Sequence, residues 1–355
     1  MTMFGHRRVG DGHPCIITLE AGATHNGLGS AKRLVTLAAE SGADAVKFQI
    51  FDPGRLVADR KQLFAYEVLV DRVTGATETV SEPLYDILCR RAMSAGEWKI
   101  LKNHSDCLGL AFFATVAFES DIDLLVEIDC HSIKIASADV NHLPLIRHAA
   151  RTGLCIQIDT GNAMLGEIEK AVDAIRSEGN ENIIIHLCPS GYPARLESIN
   201  LNVIKTLKQM FPFPIAYSDH TPGWEMDIAA VAIGANLVEK TITEDRTTRS
   251  VEHIMSLEGL EMASFVRAIR NLETAMGNRR RVLHPEELKK RQAVRRSLYL
   301  TAPVRKGTRL RDAQFDFRRP GYGIAPDRFE EYLDWVFAKD LPEGHQLADG
   351  ELGSS

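Results

Sequence analysis

Short apolar runs alternate with helix-like segments along most of the chain, and polar residues follow the end of each run. Near-continuous apolar runs are typical of parallel strands covered by helices on one side and by a barrel core on the other. Helical spacing of apolar residues is clear over residues 31–41, 167–176 and 262–276. The eight predicted strands are residues 15–19, 45–48, 110–114, 132–136, 154–158, 183–187, 214–217 and 236–238. This repeat predicts an α/β fold, a (β/α)8 TIM barrel with its active site at the carboxyl ends of the strands.

Residues 51–82 interrupt the alternation after the second predicted strand. A segment of this size exceeds ordinary loop lengths, so we expect an elaborated loop or a lid over the barrel mouth. A disordered excursion is the alternative. Apolar and aromatic residues such as Leu63, Phe64 and Tyr66 favour an ordered segment.

The chain changes character near its carboxyl end. Residues 278–292 are strongly basic and are interpreted as a solvated linker. Residues 304–312 and 341–349 then share the pattern apolar-x-x-Gly-x-x-Leu-x-Asp, which predicts a turn, a short strand and a helix start. We therefore predict a barrel over residues 1–280, a linker over 281–294 and a small β-rich domain over 295–355.

Composition narrows the classes of partner. The formal charge is −6, with 42 Lys and Arg against 48 Asp and Glu interspersed along the chain, so no footprint for nucleic acid is expected. The six cysteines form no CxxC pair, and reduced thiols suit a cytoplasmic location. No apolar run approaches the roughly 18 residues of a membrane span, and the polar residues 1–13 do not resemble a signal peptide. The expected partners are small molecules and other protein subunits.

Two lysines at the ends of predicted strands indicate an anion site. Lys47 and Lys134 would be costly to bury unless an anion met them, so we expect a phosphate or carboxylate ligand. Pairing with acidic residues of the strand ends is the alternative, and both can hold. The candidate acidic partners are Glu20, Asp139, Asp159 and Glu239. Hydroxyl groups that would assist the anion belong to Thr115, Thr160, Ser190 and Ser218.

Three further strand-end residues are candidates for chemistry. Glu20 suits an acid, a base or the orientation of a metal-bound water, although the Asn-Gly turn after it also explains the loop structurally. His220 directly follows an apolar strand, a position that suits a metal ligand or a proton carrier. Cys188 is a candidate nucleophile, but a packing role is favoured because only His186 offers a base beside it.

Taken together, these strand ends resemble the sialic acid (N-acetylneuraminate) synthase family, which condenses phosphoenolpyruvate with an N-acylated hexose. The resemblance covers nearly the whole chain. It rests on residues 20–27 (EAGATHNG), 42–49 (GADAVKFQ), 134–137 (KIAS), 188–193 (CPSGYP), 217–221 (YSDHT) and 234–240 (GANLVEK). The carboxyl-terminal segment resembles the antifreeze-like (SAF) domain of these synthases. Its residues 318–323 (RRPGYG) resemble the loop that reaches the partner's barrel in a domain-swapped homodimer.

The resemblance implies a role for each matching position. Glu20 and Glu239 would lie near the reacting aldehyde and the attacking water, and His220 would bind a divalent metal, Mn²⁺ or Mg²⁺. Arg319 would contact the N-acyl group of the sugar in the other subunit. Residues implied to bind phosphoenolpyruvate are Lys47, Thr115, Lys134, Ser137, Ser190 and Ser218. Further substrate contacts would come from Gln49, Asp139, Tyr192 and Glu252.

The sequence departs from the family at the end of the last barrel strand. The family has Glu-Lys/Arg-His there, the histidine being the second metal ligand, whereas this chain has Glu239, Lys240 and Thr241. Asp159 is a smaller departure, because it replaces a serine near the phosphate. Three explanations stay open: another ligand such as Glu239 or His25 is recruited, a lysine replaces the metal, or synthase activity is lost.

These observations predict a cytoplasmic, dimeric nonulosonic acid synthase. It would join phosphoenolpyruvate to an N-acylated hexose and release a nine-carbon α-keto acid and phosphate. A Schiff-base aldolase using Lys134 or Lys47 is one alternative, because a lysine on a barrel strand also suits that chemistry. A non-catalytic sugar- or phosphate-binding protein is the other. Mannosamine-type, bacillosamine-derived and altrose-type acceptors all remain open.

Overall fold

Eight parallel strands pair side by side and close into a barrel. The computed structural model describes residues 2–354, and the first of its two compact units extends to Gly277. The barrel strands are β1 (Ile16–Glu20), β2 (Ala45–Gln49), β3 (Ala111–Val116), β4 (Ser132–Ile135), β5 (Cys155–Asp159), β6 (Ile183–Leu187), β7 (Ile215–Asp219) and β8 (Leu237–Thr243). Each strand pairs with the next, and β8 closes the barrel against β1. The predicted (β/α)8 barrel is confirmed.

Helices cover the outside of the barrel because alternate strand residues point outward and are apolar. In β4, for example, Ile133 and Ile135 pack in the large core between strands and helices. The helices of this unit are Leu28–Glu40, Pro53–Leu56, Leu84–Cys89, Ala95–Cys107, Glu119–Glu127, Leu143–Arg151, Leu165–Ser177, Leu196–Ile199, Val203–Met210, Glu225–Ala232 and Leu260–Met276. Two 3₁₀ turns (Ser137–Asp139, His253–Met255) and a short strand (Leu257–Glu258) complete the unit. Within residues 2–354, no helix has both the length and the apolar character that crossing a membrane requires.

The barrel interior is apolar at the amino ends of the strands and polar above that level. A hairpin of Thr2–Phe4 and Arg7–Val9 packs at the apolar end, where Phe4 meets Phe113 edge to face. The apolar layer consists of Phe4, Val9, Ile16, Ala45, Phe113, Cys155, Ile184, Ala216 and Leu237. This layer closes one end of the barrel, so polar chemistry is confined to the carboxyl ends of the strands.

The long segment after β2 is ordered and forms a β-hairpin. Its strands, Leu63–Leu69 and Thr77–Pro83, pair in antiparallel register over their full length. Tyr66 and Val80 are buried against Ile87 and Val251, which fixes the hairpin beside the loop that follows β8. The segment is therefore an elaborated, ordered excursion rather than a disordered one.

The second compact unit begins at Asn278 and has its own core. Strand Ser297–Leu300 pairs with Phe315–Arg318, and Val336–Phe337 pairs with Leu352–Gly353. Three 3₁₀ turns lie at Leu310–Asp312, Phe329–Tyr332 and Asp349–Glu351. Residues 281–294, expected as a linker, contain the helix Pro285–Val294, which buries none of its residues. Its basic side chains therefore lie in solvent.

The internal repeat builds two matching turns in this unit. Val304 and Leu341 exchange two backbone hydrogen bonds of 2.9 and 3.0 Å, so the repeats pair with each other. Gly307 and Gly344 have φ angles of 84° and 78°, a backbone region that favours glycine. The repeat leucines Leu310 and Leu347 are both buried in the core. The sequence repeat thus corresponds to a structural one.

Candidate active site

A cavity of about 220 Å³ lies at the carboxyl ends of the barrel strands. Residues that end or follow six of the strands line it, together with apolar residues from the excursion after β2 and from the loop after β8. The lining residues are Glu20, Lys47, Gln49, Phe64, Leu84, Ile87, Arg91, Thr115, Ala136, Ser137, Asp159, Cys188, Tyr192, His220, Glu239, Val251 and Glu252. A packed barrel places catalytic groups at this end, so this cavity is the candidate active site.

Lys47 and Lys134 meet at the bottom of the cavity around one carboxylate. Lys134 Nζ lies 2.7 Å from both carboxylate oxygens of Glu239, and Lys47 Nζ lies 3.6 Å from Glu239 Oε1. Lys134 also contacts Asp159 Oδ2 at 3.0 Å, and Lys47 contacts Glu20 Oε2 at 2.7 Å. We call these five residues the lysine cluster. Both lysines therefore have acidic partners without a ligand, as the alternative interpretation expected for Glu20, Asp159 and Glu239.

Glu239 and Lys134, two members of the lysine cluster, hold their charges strongly. Burial alone would raise the pKa of Glu239, but the ammonium groups of Lys134 and Lys47 outweigh it and hold that pKa well below its usual range. Burial likewise opposes the charge of Lys134, yet Asp159 and Glu239 raise the pKa of Lys134 above its ordinary value. Lys134 is therefore a permanent cation at the base of the cavity.

Glu20 behaves in the opposite way. Burial, with help from the carboxylates of Glu239 and Glu252, raises the pKa of Glu20 to about 8 despite the nearby Lys47. A carboxyl group that keeps its proton near neutral pH can act as a general acid. The two glutamates of the cavity thus differ in protonation: Glu20 tends to keep its proton, whereas Glu239 remains ionised.

His220 lines the cavity, and a backbone contact fixes one of its ring nitrogens. Its Nδ1 lies 3.0 Å from the backbone oxygen of Pro189, and a carbonyl only accepts, so Nδ1 carries the proton of the neutral ring. The ring also packs on Tyr192 with centroids 4.6 Å apart. Nε2 is thereby left as an acceptor or a metal ligand.

The donor set around His220 fits a divalent metal poorly. Asp219 pairs with Lys240 across β7 and β8, so the next residues, His220 just after β7 and Thr241 within β8, are neighbours across the two strands. A threonine hydroxyl is a weak ligand where a second imidazole would serve. Among residues 2–354, no group of three or more His, Cys, Asp and Glu side chains is arranged to hold a metal ion. We therefore derive no reaction step through a metal.

The outer part of the cavity contains Arg91, which the sequence pattern did not identify, and Glu252, which the family resemblance implied. Arg91 is only 7% exposed, and its Nη1 donates to the backbone oxygen of Ala23 at 3.2 Å. Its Nε has no hydrogen-bond partner among the described residues. Glu252, which is 9% exposed, lines the same cavity. Opposite charges and the apolar wall of Phe64 and Val251 make this end suitable for a polar organic molecule.

The remaining candidate residues lie at different places. Lys134 and Ser218 are buried directly beneath the residues that line the bottom of the cavity, and Lys134 Nζ is 3.1 Å from Ser218 Oγ. Ser190 is exposed and donates instead to the backbone oxygen of Gly161 or to Asn162. Asp139 is half-buried outside the cavity lining, and Arg319 is exposed in the second compact unit. The structure thus gathers Glu20, Lys47, Gln49, Thr115, Ser137, Tyr192, His220, Glu239 and Glu252 around the cavity.

Cys188 lines the cavity, but its environment favours the thiol form. Burial and the neighbouring Asp159 raise the pKa of Cys188 well above its ordinary value. Because the thiolate is the nucleophile, a thiol of this kind is inert. The packing interpretation of Cys188 therefore stands.

Comparisons with known proteins agree with this geometry. The model of the NeuB family matches residues 34–281, and the model of the SAF domain matches residues 295–352. The chain belongs to the NeuB family. Its second compact unit contains the SAF domain, so the resemblance drawn from the sequence is confirmed.

Relatives of this NeuB-family chain extend over most of its length. N,N'-diacetyllegionaminic acid synthase of Legionella pneumophila is 33% identical over 344 residues, covering 95% of this chain and 94% of its own. N-acetylneuraminate-9-phosphate synthase of Homo sapiens is 30% identical, covering 86% and 83% respectively. The crystal structure of N-acetylneuraminic acid synthetase from Leptospira borgpetersenii, in complex with citrate, shares 30% identity and a TM-score of 0.70. That match covers 82% of this chain and 94% of the other.

Proposed function

We propose that this NeuB-family protein is a nonulosonic acid synthase. It condenses phosphoenolpyruvate with an N-acylated hexose and water, and it releases a nine-carbon α-keto acid and phosphate. The observation that carries the proposal is the lysine cluster, in which two buried ammonium groups share Glu239 at the barrel mouth. The named activities of the relatives, synthases of legionaminic and neuraminic acids, support the same reaction class.

The lysine cluster suits the anionic groups of phosphoenolpyruvate. Its phosphate and carboxylate can replace the Glu239 carboxylate as the anionic partner of Lys47 and Lys134, so the ammonium charges remain compensated throughout. Thr115 and Ser137 line the same cavity and can donate hydroxyl hydrogens to the ligand. The acidic partners thereby hold the lysines in place until substrate arrives.

The two glutamates then serve opposite proton transfers. C3 of phosphoenolpyruvate attacks the aldehyde carbon of the sugar, and Glu20 donates its proton to the new alkoxide oxygen. Water adds to C2, and Glu239 accepts a proton from it once the lysines have turned to the phosphate. The new C2 hydroxyl gives its proton to the departing phosphate as the bond between C2 and the phosphate oxygen breaks, so C2 becomes the ketone carbon and phosphate leaves with its bridging oxygen.

The Schiff-base alternative is not favoured. An imine-forming lysine must lose its proton to become a nucleophile, which a lowered pKa makes easier. Asp159 and Glu239 instead raise the pKa of Lys134, although burial opposes them. Lys134 suits a fixed cation that binds an anion.

Arg91, Glu252 and Tyr192 suit the acceptor sugar. A hexose with an acylamino group offers a carbonyl oxygen to the guanidinium and hydroxyl or amide hydrogens to the carboxylate. Arg91 and Glu252 line the cavity with the apolar residues of the excursion, whereas Lys134 is fully buried and is not part of the cavity lining. We assign the outer part of the cavity to the acceptor on this basis.

A divalent metal, expected from the family resemblance, would use His220 Nε2 as its one imidazole ligand in this chain. A bound cation would supply charge stabilisation for the developing alkoxide. Because Thr241 stands beside His220, we expect such an ion to bind weakly, with Mn²⁺ or Mg²⁺ as the candidates.

We further propose a cytoplasmic homodimer in which Arg319 of one subunit contacts the sugar bound by the other. Six free cysteines support a reducing compartment. Arg319 is exposed in the loop after Phe315–Arg318, where it is accessible to a second copy. Mixing Arg319→Ala subunits with Lys134→Met subunits tests the exchange, because only a heterodimer would regain an intact site.

Phosphate release from phosphoenolpyruvate tests the proposed function. The purified protein is incubated with a panel of mannosamine-type, bacillosamine-derived and altrose-type N-acylated hexoses, and the product is identified by mass. We expect phosphate and a nine-carbon α-keto acid with at least one acceptor. Binding of phosphoenolpyruvate without phosphate release across the panel would instead support a binding protein.

A further inference from the structure

A column of buried polar side chains continues below the lysine cluster, inside the barrel. His186 Nδ1 lies 2.9 Å from Ser218 Oγ, and His186 Nε2 lies 2.7 Å from Gln157 Oε1. Gln157 Nε2 donates to Ser132 Oγ at 3.0 Å, and Ser132 donates to the backbone oxygen of Cys155 at 2.7 Å. We call Ser132, Gln157, His186 and Ser218 the polar column. Ser218, its uppermost member, contacts Lys134 at 3.1 Å.

The direction of each hydrogen bond in the polar column follows from its lower end. The Cys155 carbonyl only accepts, so the Ser132 hydroxyl donates to it and accepts from the Gln157 amide nitrogen. Gln157 Oε1 then accepts from His186 Nε2, which fixes the proton of the neutral ring on Nε2. His186 Nδ1 is left as an acceptor, and the Ser218 hydroxyl donates to it.

This direction decides what Ser218 can do at the lysine cluster. Its single hydroxyl hydrogen has two acceptors in range, His186 Nδ1 at 2.9 Å and Asp159 Oδ1 at 3.2 Å. With the hydrogen on the His186 side, Ser218 Oγ faces Lys134 as an acceptor, and Asp159 remains fully available to that lysine. Lys134 thus has three partners before substrate binds, and two of them, Asp159 and Ser218, can stay in place when substrate replaces Glu239.

The column occupies positions where apolar side chains would ordinarily fill a barrel. Gln157 and His186 are completely buried, and the apolar layer begins directly below them with Cys155 and Ile184. A buried polar network adds little stability compared with apolar packing, so a role in orienting groups is the better explanation. Burial and the positive charge of Lys134 lower the pKa of His186 to about 4, which keeps the ring neutral.

We propose that His186 is a positioning residue for the anion site. Through Ser218 it orients the Lys134 ammonium toward the anionic groups of phosphoenolpyruvate, and Gln157 and Ser132 fix its tautomer. The inference rests on the proposed function, since it assigns His186 to that same site. It adds a determinant of phosphoenolpyruvate affinity that makes no contact with the substrate.

Steady-state kinetics of two His186 variants test the proposal. In His186→Leu the hydrogen of Ser218 turns to Asp159, and we expect KM for phosphoenolpyruvate to rise about 2- to 12-fold, the effect of one net hydrogen bond. KM for the acceptor should not change. His186→Asn places an amide oxygen near the position of Nδ1, so it should restore most of the affinity. Equal KM values for phosphoenolpyruvate in wild type, His186→Leu and His186→Asn would overturn the proposal.

A matched control and a double variant separate positioning from stability. His131→Leu removes a half-buried imidazole that accepts from Phe112 N at 3.1 Å before β4, so it should cost stability and leave both KM values unchanged. If His186→Leu fails to fold because Gln157 loses its partner, Gln157→Leu/His186→Leu replaces the pair with apolar side chains. That variant should fold and show the same rise in KM; a normal KM in the folded double variant would overturn the proposal.

Two measurements that need no turnover separate this inference from the proposed function. Calorimetry should show weaker binding of phosphoenolpyruvate by His186→Leu than by wild type. The ¹⁵N spectrum, assigned by the signal missing in His186→Asn, should show His186 protonated on Nε2 alone at neutral pH. A wild type that binds no phosphoenolpyruvate contradicts the proposed function, whereas binding that is equal in wild type and His186→Leu contradicts only the role of His186. Protonation on Nδ1 would also contradict it.

Discussion

Replacing Lys134 with methionine tests the central charge of the candidate site. The variant keeps a side chain of similar length but leaves Asp159, 3.0 Å from the ammonium, without that cation. Glu239 loses its contact at 2.7 Å and keeps only Lys47, at 3.6 Å. Lys134 is completely buried, and Asp159 and Glu239 are only 9% and 5% exposed, so water compensates these carboxylates only in part. We expect loss of both phosphoenolpyruvate affinity and stability.

The size of both losses follows from burial. Removing one partner of a buried charge pair costs about 2–5 kcal/mol in binding, which corresponds to about a 30- to 5,000-fold rise in KM for phosphoenolpyruvate. Breaking the buried pair costs about 3–5 kcal/mol of unfolding free energy. That deficit should shrink as the pH falls. The wild-type contribution of Glu239, whose pKa is lowered, persists until acidic pH, whereas the carboxylates that lose Lys134 in the variant take up protons at higher pH.

Phosphate-release kinetics and urea unfolding at several pH values measure the two effects. Adding Glu239→Gln to Lys134→Met removes one of the charges that lost Lys134 and should recover stability without recovering activity. Lys102→Met is the matched control, because Lys102 is also buried and paired, with Asp106 at 2.7 Å, but lies on the helix Ala95–Cys107. A folded Lys134→Met protein with an unchanged KM for phosphoenolpyruvate would refute the anion-site reasoning.

Two further variants examine the acid and the acceptor end. In wild type, kcat/KM should fall as the pH rises through about 8, because Glu20 loses its proton there. Glu20→Gln should have a low kcat/KM that no longer falls as the pH rises through about 8. If the fall persisted in this variant, it would have to come from another titrating group. Arg91→Met should raise KM for the acceptor about 10-fold or more, the effect of one hydrogen bond to a charged group, and leave KM for phosphoenolpyruvate unchanged. If Arg91→Met raised only KM for phosphoenolpyruvate, Arg91 would bind phosphoenolpyruvate and its assignment to the acceptor would be wrong.

The strand pattern predicted the barrel and the location of its site because one rule governs both. Parallel strands end together at one edge, so Glu20, Lys47 and His220, far apart in the sequence, lie around a single cavity. The alternation of side chains along the strands also indicated that His186 and Gln157 point into the barrel, although this signal was not used. His186 is two residues before Cys188, and Gln157 is two residues before Asp159, so both had to point into the barrel with those strand-end residues.

Other features of the structure could not be predicted, or were misinterpreted, from the local sequence pattern. Arg91 follows the helix Leu84–Cys89 and reaches the backbone of Ala23, a residue in another loop of the barrel mouth. The helix Pro285–Val294 did carry local signals, with a proline at its start and Glu286 and Glu287 in its first turn. The many positive charges of this segment led to its interpretation as a linker. Charge indicates that a segment is exposed to solvent, but it does not indicate whether the backbone is helical.

Restoring a second histidine beside His220 tests how this chain differs from its family at the metal position. Thr241 is in register with Glu20 across β1 and β8 and follows Lys240, the strand partner of Asp219, so Thr241→His would bring an imidazole close to His220. We expect the affinity of Thr241→His for Mn²⁺ to rise by at least about 10- to 100-fold, because loss of a residue that merely hydrogen-bonds to a metal ligand already changes metal affinity by that factor. Calorimetry and electron paramagnetic resonance measure the affinity. His220→Ala in the same background should abolish the gain. Equal Mn²⁺ affinity in wild type and Thr241→His would mean that residue 241 does not face the ion, and that other residues already supply the ligands.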